Sequence, residues 1–208
     1  QLNEKGKPAM IHYPSSASDA STWDDPAATA VFTPGSSVPK ELHGVKLQPW
    51  LDVPEGDDWD FVDDQNDDLD EPPLVLTGNK KPASGVIVQE PDGRVWIISP
   101  TNQYAGVINT FPKGGAEDGL SYQANAIKEA YEESGLQVEV DAHALDVERT
   151  TTVARYYLAH RVGGSPADMG WESQAVRLVP LAQLGEHLNR PEDQQILSFL
   201  RTRAGHSA

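Results

Sequence analysis

In the run KEAYEESGL (128–136), Glu129, Glu132 and Glu133 stand at i, i+3 and i+4. On a helix this spacing gathers three carboxylates on one face. Like charges four residues apart cost an isolated helix roughly 0.2–0.5 kcal/mol. Such a face is stable either in open solvent or around a cation. Mg²⁺ takes hard oxygen ligands, keeps several waters, and bridges carboxylates to substrate phosphates. A rigid helix offering three carboxylates suits that chemistry. The run follows FPKGGAEDG (111–119), where Gly114 and Gly115 let backbone approach an ion or phosphate with no Cβ in the way.

Local signals define the element that carries these glutamates. Ser121 is a side-chain N-cap and Gly135 a left-handed C-terminal stop, so a helix is expected from about 121 to 134. Ala124, Ile127, Ala130 and Tyr131 give it an apolar stripe beside the acidic one. Upstream, SGVIVQ (84–89) and RVWIISP (94–100) are β-rich runs joined by the turn Glu90-Pro91-Asp92-Gly93. Downstream come LQVEV (136–140), ERTTTVARYYLAHRV (148–162) and AVRLVPL (175–181), then an amphipathic helix over 191–203. Strands mixed with two helices imply an α+β fold, an α/β/α sandwich with a mixed sheet packed between helices.

The run 114–136 resembles the signature box of the Nudix hydrolases. That pattern is Gly, five residues, Glu, seven residues, then Arg-Glu-aliphatic-any-Glu-Glu-any-Gly-aliphatic. Gly114 takes the first position, Lys128 that of the Arg, then follow Glu129, Ala130, Glu132, Glu133, Gly135 and Leu136. Two positions depart: Leu120 stands where the isolated Glu is expected, and Lys128 replaces Arg. The likeness covers the box closely and 82–203 loosely in strand order. It implies a Nudix domain over 79–208 behind an N-terminal extension over 1–78.

The resemblance also implies an activity: Mg²⁺-dependent hydrolysis of a diphosphate linkage, with Mn²⁺ as an alternative ion. The metal ligands it implies are Gly114 through its carbonyl, Glu129, Glu132 and Glu133. Lys128 would make the ion pair of the family's Arg, less firmly because it lacks a bidentate fork. The catalytic base varies in the family, and the candidates here are the box glutamates, Glu133 and Glu132, and Glu172 in the turn-rich GGSPADMGWES (163–173). The missing acid at 120 would weaken metal affinity, and Leu120→Glu is expected to leave activity equal or higher. The same two departures motivate a second reading, a non-hydrolytic Nudix-fold nucleotide sensor.

Substrate-side candidates are Lys113 next to the glycines and Arg149 and Arg155, six apart and so on one side of a continuous strand. A guanidinium suits phosphate oxygens, although either Arg could instead pair with a surface acid such as Glu148. Tyr104, Trp171 and Phe111 are candidates to stack on a base, or to serve as core. The phrasing FPKGG and WESQAVRLVPLAQL is similar to diphosphoinositol polyphosphate or dinucleoside polyphosphate members. Thr151 stands where several ADP-ribose members carry Pro. Nearby cations are sparse, which makes a nucleoside diphosphate derivative an equal expectation.

Composition narrows the remaining classes. The 208 residues carry 32 acidic and 16 basic side chains, a formal charge of −16, which opposes nonspecific nucleic-acid binding. Cysteine is absent, which removes disulfides and thiolate chemistry and agrees with a cytoplasmic location. No apolar run is long enough for a bilayer, and a homodimer is compatible with the chain. Eleven of the acids fall between 51 and 71 without a single Lys or Arg. That stretch reads as a solvated acidic linker or an interaction segment; it lacks the Gly and closing Glu of a calcium loop. Trp50, Trp59, Phe61 and Leu69 interrupt it, so parts of it could dock on a folded body. The whole extension is expected to be irregular and only partly ordered, with one short helix capped near Ser21 or Asp24.

Overall fold

The computed structural model describes residues 1–205. Alternation along the central strands sets its layers. In β4 (Lys81–Val88), Val86 and Val88 point to one hydrophobic cluster while Ile87 points to another. In β5 (Val95–Pro100), Trp96 and Ile98 join the first cluster, and Val95 and Ile97 the second. The first is covered by α1 (Tyr122–Ser134), the second by α2 (Leu181–His187) and α3 (Pro191–Gly205). Strands are thus buried on both faces between helices, the α+β sandwich expected of the sequence.

Two sheets share this middle layer. One has the order β6-β4-β8-β7, with β6 (Lys113–Gly115), β7 (Leu136–Glu148) and β8 (Thr152–Gly164). Its β4–β8 pair is parallel and the others are antiparallel, so the sheet is mixed. The second runs β1-β9-β5, all antiparallel, with β1 (Ala30–Phe32) and β9 (Ser173–Val179). A small hairpin joins β2 (Glu41–Leu42) to β3 (Val45–Lys46). The turn at 90–93 forms as expected, with Gly93 at φ +92° and its N–H on the Glu90 carbonyl at 2.9 Å. It closes over a single bridge, Gln89 with Val95, before its strands diverge into the two sheets.

Strand β7 continues eight residues past the expected LQVEV, to Glu148. Its pairing with β8 shifts register three times, at 137/138, 140/142 and 143/145. Each bulge breaks the two-residue alternation, so HALDVE carries no strand pattern in the sequence.

Residues 1–78 hold no long element, in keeping with an irregular extension, but they are not detached. Trp23, Phe32, Leu42, Leu47, Trp50 and Trp59 are buried in the α1-side cluster, and β1 is an edge strand of the second sheet. The short helix near Ser21 is a 3-10 turn, Ala20–Asp24, without a side-chain cap. The acidic stretch is a clasp rather than a solvated linker. Trp50 and Trp59 meet Tyr131 of α1 at 5.4 and 6.3 Å between ring centroids. Leu69 packs on the same cluster, whereas Phe61 stays 79 % exposed. The Asp64 carbonyl accepts from Val140 N–H at 3.0 Å, which covers the free edge of β7. Asp60 accepts from Ser121 N–H at 3.2 Å and Glu71 from Gln123 at 3.0 Å. Negative charge therefore surrounds the N-terminus of α1, where the helix dipole favours it.

Candidate active site

Helix α1 forms between the two signals its sequence carries. Ser121 Oγ accepts from Ala124 N–H at 3.0 Å, and Gly135, at φ +74°, donates to the Tyr131 carbonyl at 2.7 Å. The glycine is required twice over, since a Cβ there would overlap the Ser165 carbonyl. That carbonyl belongs to the loop after β8, which is stitched to the helix end: Ser165 N–H meets Gly135 O at 3.0 Å and Gly170 N–H meets Glu132 O at 2.7 Å.

The three box glutamates lie where β6 passes α1. Glu133 Oε2 accepts from the Lys113 backbone N–H at 2.9 Å. Glu129 occupies the space beside Gly114 that any side chain there would fill, since a Cβ would overlap its carboxylate. Burial, then Glu132 and Glu172, push Glu129 up to about 7. Burial and Glu129 push Glu133 well above the usual carboxylate range, against the opposing pull of Lys113. Burial also raises Glu132. These are carboxylates crowded enough to resist ionising together.

Glu172 reaches this cluster from the far side. Its backbone carbonyl accepts from Thr101 N–H at 2.7 Å, and Thr101 Oγ1 donates to Trp171 O at 2.7 Å. A pocket of about 310 Å³ is left among Lys113, Glu133, Tyr104, Trp171 and Glu172. Five residues singled out from the sequence thus line one opening. Tyr104 is 76 % exposed, free to meet a ligand, whereas Phe111 is core and edge-on to Tyr156.

Two expected phosphate ligands are engaged by carboxylates outside the pocket lining. Arg149 lies in the 149–151 turn between β7 and β8, not on the strand, so alternation does not carry it to the side of Arg155. It pairs with buried Asp193 at 2.8 Å and with Tyr156 OH at 3.2 Å. Arg155 is almost fully buried, bidentate to Asp146 at 2.8 Å on both arms, with Glu71 at 3.5 Å and Tyr122 under its guanidinium. Both guanidiniums are held by carboxylates, and neither lines the pocket. Lys113 keeps its place: burial and Arg149 lower its pKa, while Glu133, Asp193 and Glu129 oppose them.

The two departures from the box have a shared structural setting. Lys128 pairs with Glu117, in the glycine-rich loop, and lies 3.6 Å from Glu132. A loop carboxylate, Glu117, thus lies beside the box helix three residues before Leu120. Leu120 packs against the α1-side cluster that the acidic clasp helps to build. Sequence reasoning passed over Glu117 and also Asn125. Fully buried, Asn125 accepts from Glu117 N–H at 3.1 Å and donates to Ser84 Oγ at 2.9 Å, with Gly114 O at 3.4 Å. It ties the glycine loop to α1 and β4; its place one turn before Lys128 and Glu129, on the same helix face, was the available signal.

The NUDIX domain model matches residues 79–200. The chain belongs to the Nudix family. Two solved structures at a TM-score of 0.50 agree on the fold, and a third is similar below that score. A UDP-X diphosphatase is 16 % identical with a TM-score of 0.50, over 64 % of this chain and 66 % of its own. The MutT protein from Methanosarcina mazei Go1 is 13 % identical with a TM-score of 0.50, over 62 % of this chain and 99 % of its own. An Ap4A hydrolase from C. elegans is 20 % identical with a TM-score of 0.49, over 61 % and 96 %. No curated protein matches the sequence. Identities this low speak for the Nudix fold and leave the substrate open.

Whether the box residues fit the divalent ion of the family is a matter of donor chemistry. Among the described residues no group of three or more His, Asp or Glu side chains forms a ready metal site. The donor set nonetheless fits an ion that keeps waters and takes further oxygens from a substrate. Glu129, Glu132 and Glu133 are hard donors raised first by burial and then by neighbouring carboxylates, and Gly114 leaves the gap that Glu129 occupies. No helix among the described residues is long and apolar enough to cross a membrane.

Proposed function

We propose that this Nudix protein hydrolyses a diphosphate linkage in a phosphorylated small molecule: a nucleoside diphosphate derivative, a dinucleoside polyphosphate or a diphosphoinositol-type compound. The observation that carries this reading is a pocket holding Glu133, Glu172, Lys113, Tyr104 and Trp171, with Glu129 and Glu132 close enough to share their charge with it. The Gly114 carbonyl, Glu129, Glu132 and Glu133 would hold Mg²⁺ or Mn²⁺. When bound, the ion neutralises phosphate charge and lowers the pKa of its water. Glu172, anchored through its backbone but with its carboxylate exposed, is placed to take a proton from an attacking water, with Glu133 as the alternative base. Lys113 sets a positive charge at the pocket floor for a phosphate oxygen. Tyr104 and Trp171 offer apolar faces to a base or sugar.

Incubation with ADP-ribose, dinucleoside polyphosphates, NADH, nucleoside triphosphates and diphosphoinositol phosphates, each with Mg²⁺ or Mn²⁺, tests the proposal. Product formation that disappears in Glu133→Gln supports it. Tight metal-dependent binding without product would replace it by the nucleotide-sensor reading. The Glu117–Lys128 pair speaks against that alternative, because it keeps a carboxylate beside the box although position 120 lacks one.

A further inference from the structure

A second cleft lies on the opposite face of β5 and β9, around Arg177. The alternation that sends Val176 and Leu178 into the α1-side cluster turns Arg177 the other way. Its Nε donates to Ser99 Oγ at 3.1 Å and its Nη2 to Ser15 Oγ at 2.7 Å. Arg94, Arg149, Arg155, Arg161 and Arg190 each have a carboxylate within ion-pair distance. Among the described arginines that are buried or half-buried, Arg177 alone has none. Burial lowers its pKa, with no acid opposing, and neighbouring His187 is lowered by burial and by the Arg177 charge.

A cation withdrawn from water without a counter-ion is unfavourable, and here it faces an open cleft of about 560 Å³. The surrounding groups are neutral hydrogen-bonding ones. Ser99 and Gln174 are buried, and Asn109 accepts from Ser99 Oγ at 2.6 Å. One wall is built by the N-terminal segment: His12 N–H meets Thr101 O at 3.0 Å and Ser15 N–H meets Gln174 Oε1 at 2.9 Å. Between these anchors Tyr13 takes φ +51°, a conformation unfavourable for a bulky residue, and stays 82 % exposed at the cleft.

We propose that this cleft is a second binding site, for a phosphate monoester carried on a ring-bearing small molecule, with Arg177 meeting the phosphate and Tyr13 the ring. A guanidinium with spare donors suits phosphate oxygens, and the flanking hydroxyls offer a third oxygen further hydrogen bonds. An exposed tyrosine offers a stacking face. The cleft is separate from the glutamate pocket, so the proposal stands whether or not that pocket turns over a diphosphate.

Amide NMR titration of the full chain in EDTA, which removes cations from the glutamates, tests the site with AMP, inorganic phosphate and acetate. AMP is expected to shift Ser99, Asn109, Gln174 and Arg177 saturably, phosphate to do so more weakly, and acetate not at all. Arg177→Gln should abolish the AMP response. Tyr13→Ala, at an exposed position that leaves the core intact, should weaken AMP at least threefold and leave phosphate unchanged. No shift at about 20 mM AMP, shifts confined to Lys113 and the box glutamates, or equal binding of acetate would overturn the proposal. So would an AMP response unchanged in both variants.

Discussion

Gly170 gives its backbone N–H to the carbonyl of Glu132 at 2.7 Å, and this one bond fastens the loop bearing Glu172 to the helix bearing the other glutamates. A Cβ on Gly170 would lie 2.6 Å from that carbonyl, so a side chain must push the loop away. Displacement of a reacting group by about 1 Å costs on the order of 100-fold in rate. Gly170→Val is therefore expected to lower kcat at least tenfold on whichever substrate is turned over. Mg²⁺ affinity by calorimetry should stay within about threefold, because the α1 ligands are untouched. Glu172→Gln should reproduce the kcat loss. A change under threefold in Glu172→Gln would remove Glu172 as the base and leave Glu133.

Gly114 and Glu129 share one space, which makes the metal reading testable without a substrate. Gly114→Ala places a methyl where the Glu129 carboxylate sits. A cation that binds only the folded state raises its melting temperature with concentration. Millimolar Mg²⁺ is expected to raise the wild-type melting temperature by several degrees and that of Gly114→Ala or Glu129→Gln by much less. An equal rise in all three, measured by calorimetry, would place the cation elsewhere, the acidic clasp being the obvious place.

Much of this site was legible because its signals are local. Ser121, Gly135 and the spacing of the glutamates define helix α1 to within one residue of its observed start. The pocket was foreseen in its parts, since Lys113, Tyr104, Trp171 and Glu172 each stood out by type. What stayed hidden depends on partners distant in sequence. Asn125 bonds Ser84 across 41 residues, and Gly170 needs Glu132 to explain it. The misplacement of Arg149 and Arg155 has a definite cause: alternation was extended through a turn at 149–151. The acidic stretch misled for another reason. Its charges describe a solvated face, but Trp50 and Trp59 decide where it lies, and two buried indoles outweigh many exposed carboxylates.

Leu120 packs against the cluster that the clasp helps to build, so Leu120→Glu, expected to leave activity equal or higher, should carry a cost in stability. The side chain packs against the α1-side cluster, and the adjoining hollow is lined by Asp57, Asp60, Glu117 and Asp118 with Lys128 as its one cation. A glutamate there meets both an apolar wall and like charge. Leu120→Glu is expected to lower stability by about 1–3 kcal/mol, and Trp59→Ala by about 3–5 kcal/mol. Urea denaturation would show both, and a stability change below about 0.5 kcal/mol for Trp59→Ala would mean the clasp is not docked in solution.

The Glu117–Lys128 pair should act on the metal site more than on the fold. Glu117 is half exposed, so its coupling to Lys128 in a double-mutant cycle of stability is expected at about 0.3–1 kcal/mol. Lys128 also lies 3.6 Å from Glu132, so losing Glu117 frees the ammonium to swing onto that ligand. Glu117→Gln should weaken Mg²⁺ severalfold, and adding Lys128→Gln, which removes the competing cation, should restore part of the loss. Unchanged Mg²⁺ affinity in Glu117→Gln would confine the pair to loop stability.

Acid stability offers a check on Arg155 as a structural rather than a substrate-binding residue. Burial alone would raise Asp146, but its hydrogen bonds with Arg155 and with His143 outweigh that and hold it below the usual carboxylate range. The groups facing it are Arg155 and His143, with Glu71 beyond the guanidinium. A carboxylate depressed in the folded state stabilises above its unfolded pKa, and that contribution is lost as pH falls through the folded value. Melting temperature should therefore drop more steeply below about pH 4 in the wild type than in Asp146→Asn. At pH 7 the variant should already be less stable, because it leaves the buried Arg155 with only Glu71 in reach. Parallel pH profiles for the two proteins would show that Arg155 does not depend on Asp146, and would return it to the candidates for binding phosphate.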